Sequence, residues 1–521
     1  MHLAVIVGLA LLTRSLPRFF CPDARGFDAY YHLIAARSIR SGRFRIPKTL
    51  KEYLLPGVYD YPPFYHYLVA FFPERLHMAV EKFSSAVIDA LHGALVYLFA
   101  CYWLTAFQPV AQPETVAFWV GLLFLMSPAL TSVGTGPRAY QGTPRTLGEL
   151  LFTLAMAAAI CYRGGEGPLF FALAAFFGGC LFLTSKFGVQ VYVFFHLVLF
   201  FTEGDPLWLL LGAGSFVAAM LISLGHFRLV ASGHWEHSRY YRAAIAPRFH
   251  MVKNFNRWED IRNLLRNLVK DPAQAAKTLL MDNSYTQLLI KHPQLPYIGY
   301  LVVFDSRFRT FDGLMVAWVG AGLLAFFLTS LKPFRFLGEA DRYLEYTLVP
   351  QLLLLAGAAS FRGIVPALLG YEVIWYVIFA GIFIFRFSQD TKRLPLFREM
   401  ADFMRGHADI RRILPIYLGE ANQLAYETGK GILYFPANYR KRLVPYEEFT
   451  SLYEKVFPFP AEDLPPLMNR YRLDVVYCSD SDLQKAQANG IGYDFDGWVQ
   501  VFSNAGYTVL KPPASQAGKP A

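Results

Sequence analysis

Apolar residues fall along this chain in long blocks separated by polar stretches. A helix that crosses the hydrocarbon core of a bilayer needs about 20 predominantly apolar residues. Blocks of that kind lie near 2–20, 84–107, 115–133, 147–162, 168–184, 188–202, 206–226, 287–304, 312–330, 344–360 and 364–387. They predict a polytopic α-helical membrane protein with about 11 transmembrane helices. The first block has neither a basic n-region nor an Ala-x-Ala site, so it reads as a retained anchor rather than a removed signal. The block at 287–304 is the weakest, because Lys291, His292, Pro293 and Pro296 interrupt it. If it crosses, the basic loop at 305–309 is cytoplasmic, as the positive-inside rule prefers. The segments 21–83, 134–146, 227–286, 331–343 and 388–521 then share the outer face, which is the placement we adopt.

The polar stretches have structure of their own. In residues 27–40, FDAYYHLIAARSIR, Ala29, Leu33, Ala36 and Ile39 recur at helical spacing, and Arg37 and Arg40 fall elsewhere on the helix surface, as in an amphipathic helix lying in the interface. The aromatic, Pro-led segment 61–76 predicts a second interfacial piece. The loop 227–286 carries two short helical patterns. Beyond residue 390 the composition becomes that of a soluble domain. Helical patterns at 418–428, 446–456 and 463–471 alternate with strand-like 431–435 and 473–478, and 498–502 and 507–511 should pair as a hairpin. The domain plan is therefore a membrane domain over 1–390, a small C-terminal α/β soluble domain over 391–511, and a disordered tail at 512–521.

Composition supports this reading. Of 521 residues, 55% are hydrophobic and 17% charged, and mean hydropathy is +0.31; a soluble chain usually carries about a quarter charged residues. The aromatic content exceeds what lipid-facing anchors need and suits ligand stacking. The net charge of +10 is scattered over loops, so the partners it implies are membrane lipids or an anionic lipid substrate, and not nucleic acid. The five cysteines show no zinc spacing and no disulfide framework. Cys101, Cys161 and Cys180 read as buried thiols, and a Cys21–Cys478 pair depends on the fold bringing them together.

Charge beside or inside a span is costly and marks candidate function. Asp28 opens the 27–40 helix just after the first span and is followed by Tyr30, Tyr31 and His32; a plain helix cap explains it equally well. Asp60, in YDYPPFYH with His66, fits either a turn or a ligand role. The stretch 134–146 holds Arg138 and Arg145 and no acidic residue, with Glu149 just after it, and guanidinium forks at a membrane surface suit a phosphate or lipid head groups. In RFLGEADRYLEY, Arg342 and Glu345 stand at i,i+3, the spacing of a helical ion pair, with Tyr343 between them.

The ordered set DAYYHLIAARSIRSGRF and YDYPPFYHYLVAF over 28–72, with RYLEYTLVP at 342–350, resembles the GT-C glycosyltransferases. These are polytopic enzymes using polyprenyl- or dolichyl-phosphate sugars, and they include protein mannosyltransferases, aminoarabinose transferases and, more distantly, oligosaccharyltransferase catalytic subunits. The third segment is similar to the RYLLPALP stretch of that superfamily. The resemblance implies an inverting transfer to a glycan, lipid or protein acceptor at the outer face. It implies Asp28 as the catalytic carboxylate and Arg138, Arg145 and Arg342 as holders of the donor phosphate. Tyr30, Tyr31, His32, Asp60, His66, Glu149, Tyr343 and Glu345 would contact sugar or acceptor.

Two departures narrow it. Tyr61 stands where aminoarabinose transferases carry a phosphate-contacting Lys. The second outer loop lacks the Asp-x-Asp or Asp-His-His motif of oligosaccharyltransferases, and no Trp-Trp-Asp stands among the eight tryptophans. A metal-independent reaction with no cofactor is therefore expected, a divalent metal entering only in an oligosaccharyltransferase-like alternative that moves a glycan en bloc. A non-enzymatic polyprenyl-lipid transporter is the other alternative; it needs an ionisable path through the bundle.

Overall fold

The computed structural model describes residues 1–513 except 22, 24–26, 56, 133–137, 139–140, 241, 243–256, 305–312, 339, 359, 435–450, 452–458 and 461–462. The expected helix at 446–456, most of the expected tail and the basic loop at 305–309 lie outside the described residues. The chain forms two compact units.

The first unit comprises Met1–Phe20, Lys82–Ala231 and Tyr241–Ile384 and is a helical bundle. Among the described residues, seven helices in the chain are long and apolar enough to cross a membrane: His2–Phe19, Glu74–Ala106, Pro113–Thr131, Pro144–Arg163, Lys186–Glu203, Gly313–Ser330 and Phe361–Ser388. An eighth arises if Leu207–Ile222 is counted with Phe227–Arg239, to which it is bent by 118°. The bend falls at Leu224 and Gly225, where φ is +49° and +85°. Such a left-handed pair cannot continue a right-handed helix.

The remaining predicted blocks differ for local reasons. Pro168–Phe182 has 15 residues, and at 1.5 Å per residue it spans about 22 Å, short of the hydrocarbon core. It packs closely on Leu207–Ile222: a Cβ at Gly179 would stand 2.7 Å from Ala218 Cβ, the small-residue approach typical of membrane helices. The 287–304 block is broken into Ser284–Lys291 and Gln294–Phe304. His292, which precedes Pro293, leaves the helix at φ −130° and ψ 60°, as residues before proline do. The 344–360 block holds only the nine-residue helix Leu348–Ala356, every residue of which is buried. Apolar surface there meets protein rather than lipid.

The second unit comprises Cys21–Glu81, Ser232–Tyr240 and Phe385–Ala521. Its strands are β1 (Arg412–Pro415), β2 (Gly431–Ile432), β3 (Val475–Cys478), β4 (Val499–Ser503) and β5 (Thr508–Lys511), in the order β2-β1-β3-β5-β4. β1 is parallel to both β2 and β3, whereas β5 is antiparallel to β3 and β4. The expected hairpin is therefore present. The expected helix at 27–40 is also present, as Phe27–Ser41, and the aromatic segment after it forms Phe64–Phe71.

The first long loop is part of this unit's core. Ile34, Leu50, Tyr53 and Tyr59 are buried with Met400, Ile413, Leu424 and Val475. Residues 52–55 extend the sheet beyond β2: Ile432 N donates to the Glu52 carbonyl (2.7 Å), Leu54 N to that of Ile432 (2.9 Å) and Leu55 N to that of Tyr434 (3.2 Å). Side chains add to the join. Tyr53 Oη donates to Asn422 (2.8 Å), the Arg37 guanidinium lies 4.0 Å over the Tyr426 ring, and Arg398 pairs with Asp23.

Candidate functional site

Each unit gathers part of the predicted constellation. In the second unit Asp28 is exposed in the first turn of Phe27–Ser41, where the helix dipole stabilises a carboxylate. Tyr30 is turned into packing, buried with Ala29 and Leu33 and 5.8 Å from the Tyr426 ring. Tyr31 is half-buried in an aromatic nest with Tyr53, Tyr61 and His66 at ring separations of 6.4, 5.5 and 5.9 Å. Its hydroxyl is buried and without a hydrogen-bond partner among the described residues. Asp60 is fully buried.

His32 and His66, both buried, form a hydrogen-bonded chain with Tyr59. The Tyr59 hydroxyl is bonded to His66 Nδ1, and His66 Nε2 lies 2.8 Å from His32 Nδ1. Burial, then the neighbouring tyrosines, holds the Tyr59 phenol well above its ordinary pKa, so it keeps its proton. Burial lowers His32 to about 3, and burial and then His32 lower His66; both rings are neutral at physiological pH. Tyr61 is pushed up first by burial, then by the charges of Asp28 and Glu81, so its phenol stands in the field of the exposed carboxylate. Tyr65 Oη donates to Glu81 (2.7 Å).

The first unit holds the arginines. Arg138 is fully buried; its Nη2 donates to Asp89 Oδ1 (2.6 Å), and its Nη1 to Glu149. Asp89 also accepts from Arg14 Nε (2.9 Å), and Arg18 Nη2 donates to the Arg138 carbonyl (2.6 Å). Arg145 Nε lies 3.8 Å from both Glu149 and Glu345. Among these named groups four guanidiniums face three carboxylates. Tyr343 Oη lies 3.4 Å from Gln190, and Lys291 pairs with Asp341 at 2.5 Å. Arg342 is half-buried on the same short helix as Glu345.

Arg14 and Arg18 occupy the end of the first span, and Arg145 and Glu149 the start of Pro144–Arg163. The network thus caps one end of the bundle and does not thread it. Glu345 is 4% exposed, yet neither of its oxygens accepts a hydrogen bond among the described residues, nor does Glu149 Oε1, and the buried Tyr346 hydroxyl has no partner. Burial, then Glu149, keeps the Tyr346 proton in place. Buried polar groups left in this state suit a hydroxyl-bearing ligand or water.

Sequence reasoning did not single out Arg14, Arg18, Asp89 or Tyr346 as site residues. The signal of the first three was charge written inside an apolar block, which a bilayer tolerates only when paired. Among the described residues no disulfide joins the cysteines, Cys21 and Cys478 included. Among the described residues no group of three or more His, Cys, Asp or Glu could hold a metal ion.

No family model matches the sequence, and no curated protein resembles it significantly. Solved structures do match. The oligosaccharyltransferase of Archaeoglobus fulgidus in its apo form superposes with a TM-score of 0.57 at 12% identity over 98% of this chain and 74% of that one. ArnT from Cupriavidus metallidurans superposes with a TM-score of 0.50 at 13% identity over 99% of both chains. The chain has the GT-C fold. A further match with this fold is the archaeal oligosaccharyltransferase AglB in complex with an inhibitory peptide and a dolichol-phosphate, with a TM-score of 0.55 at 12% identity over 98% of this chain and 74% of that one. These superpositions cover 98% or 99% of this chain, so they reach residues of both units.

Proposed function

We propose that this chain is an inverting glycosyltransferase that moves a sugar from a polyprenyl- or dolichyl-phosphate donor to an acceptor at the outer face of the membrane. The observation that carries the reading is the GT-C fold over nearly the whole chain, with an exposed carboxylate, Asp28, at the helix following the first span. Asp28 takes the proton of the acceptor hydroxyl as that oxygen bonds to the anomeric carbon. The bond from that carbon to the phosphate oxygen breaks, its electron pair leaves on the phosphate, and the configuration inverts. Arginines beside the growing phosphate charge lower the barrier by electrostatic stabilisation. Arg145 and Arg342 are assigned to the phosphate. Arg138, whose donors go to Asp89 and Glu149, is assigned to hold Glu149. Glu149, Glu345 and Tyr346 receive sugar or acceptor hydroxyls, which their unfilled hydrogen-bonding capacity favours.

The test is incubation of the purified protein with labelled polyprenyl-phosphate sugars and mass spectrometry of the products. Asp28→Asn should abolish transfer while donor binding persists; unchanged turnover would remove the assignment. One observation favours a second reading, en bloc glycan transfer: the archaeal oligosaccharyltransferase superposes with the higher TM-score. This chain spans about three quarters of that protein's length and all but a hundredth of ArnT's. Activity lost on chelation and restored by a divalent metal would support the second reading.

A further inference from the structure

The first unit carries a cavity that the proposed reaction does not use. It lies between the membrane-crossing helices Pro113–Thr131 and Phe361–Ser388 and has a volume of about 550 Å³, within the usual range of small-molecule sites. Trp119, Pro366, Leu369 and Val373 make its walls, and Gln112 and Arg362 stand at one end. Val373, Ile374 and Val377 are exposed on the same helix, so the groove opens where hydrocarbon must lie. A Cβ at Gly370 would meet nothing within 4 Å, which leaves the floor open.

Arg362 gives this groove a polar end. Its Nη2 donates to the Ala111 carbonyl (2.8 Å) and to Gln112 Oε1 (3.3 Å). Both acceptors are neutral, and among the described residues no carboxylate pairs with it. On the same helix Tyr376 donates to the Thr13 carbonyl (3.0 Å), level with the Arg14–Asp89 network. Arg362 lies 14 residues earlier, about 21 Å away along the axis. The groove is therefore separate from the charged end of the bundle.

We propose that this groove binds an anionic phospholipid, with its phosphate on Arg362 and Gln112 and one acyl chain against Trp119, Leu369 and Val373. Both walls are membrane-crossing helices, so the occupant enters from the bilayer, and an uncancelled guanidinium at the end of an apolar trough selects a lipid whose head group is negative. Pro366 and Gly370 give that stretch of helix a shallow surface that a chain can lie along.

The test uses tryptophan quenching by lipids with brominated acyl chains, with the full-length protein in phosphatidylcholine vesicles. Brominated phosphatidylglycerol should bind the Trp119 site about fivefold more tightly than brominated phosphatidylcholine, the factor expected of one basic residue. The selective component should vanish in Trp119→Phe. In Arg362→Gln the two lipids should quench alike, and in Arg362→Lys the preference should persist, which separates loss of charge from loss of fold. Equal quenching by both lipids in the wild type overturns the proposal, as does a preference that survives Arg362→Gln. Displacement by unlabelled polyprenyl phosphate at a lower mole fraction than by unlabelled phosphatidylglycerol would assign the groove to a prenyl carrier and overturn it as well.

Discussion

Replacing Asp89 by Asn tests whether the buried charge network organises the bundle. Its carboxylate is fully buried and takes three contacts: Arg14 Nε at 2.9 Å, Arg138 Nη2 at 2.6 Å and Arg138 Nε at 3.4 Å. Asn removes the charge and presents an NH₂ group to donors. Its one remaining oxygen, uncharged, serves donors that two carboxylate oxygens served, beside the Leu125 carbonyl for Arg14 and Glu149 for Arg138. Breaking a buried ion pair by removing one partner costs about 3–5 kcal/mol, because the remaining charge stays desolvated. Reversible unfolding in mixed micelles of a mild detergent and dodecyl sulfate, followed by tryptophan fluorescence, should show a loss of that size. Adding Arg14→Gln to Asp89→Asn removes the stranded cation, and the double variant should recover about 1–2 kcal/mol relative to additivity. The exposed pair Arg405–Asp402, 2.5 Å apart with side chains 50% and 64% exposed, is the control. Asp402→Asn should cost no more than about 1 kcal/mol. An Asp89→Asn protein within about 1 kcal/mol of the wild type would refute the account of a desolvated network.

Two further outcomes concern the second unit. Burial, aided by the nearby Asp482 charge and opposed by the Tyr477 and Tyr507 hydroxyls, pushes the Glu420 carboxyl up to about 7 from its ordinary 4.5. The folded state therefore holds this proton more tightly than the unfolded chain does. Its contribution is complete below the ordinary value and is lost as pH rises through about 7, so thermal scans across that window should show falling stability that Glu420→Gln flattens. Tyr53→Phe leaves Asn422 Oδ1 without its 2.8 Å donor and should cost about 1–3 kcal/mol; faster amide exchange across 421–434 is the readout, and unchanged exchange there would mean that the loop and sheet are not coupled at this point.

Particular elements show where sequence reading succeeds. The helix at Phe27–Ser41, the hairpin of β4 and β5 and the long apolar helices all follow from local periodicity. The breaks at 292–293 and 224–225 were also written locally, in the proline and glycine that stand there. By contrast, Leu348–Ala356 reads as a crossing because hydropathy measures how apolar a segment is and not whether lipid or protein covers it. The join between residues 52–55 and β2 had no signal of its own, since a single bridge in a long loop is compatible with many neighbours.

The same division holds for the candidate site. Sequence alone marked Asp28 by its place after the first span, and marked Arg145, Glu149 and Glu345 by their charge beside apolar blocks. Tertiary structure decided that Arg138 spends its donors on Asp89 and Glu149, that Tyr59, His66 and His32 form a hydrogen-bonded chain, and that Glu345 and Tyr346 keep unfilled capacity. Helix periodicity and hydropathy depend on residues within a few positions of one another, so one sequence states them. The partner of a buried charge depends on which distant segments the whole core brings to it, and desolvation makes that partnership decisive.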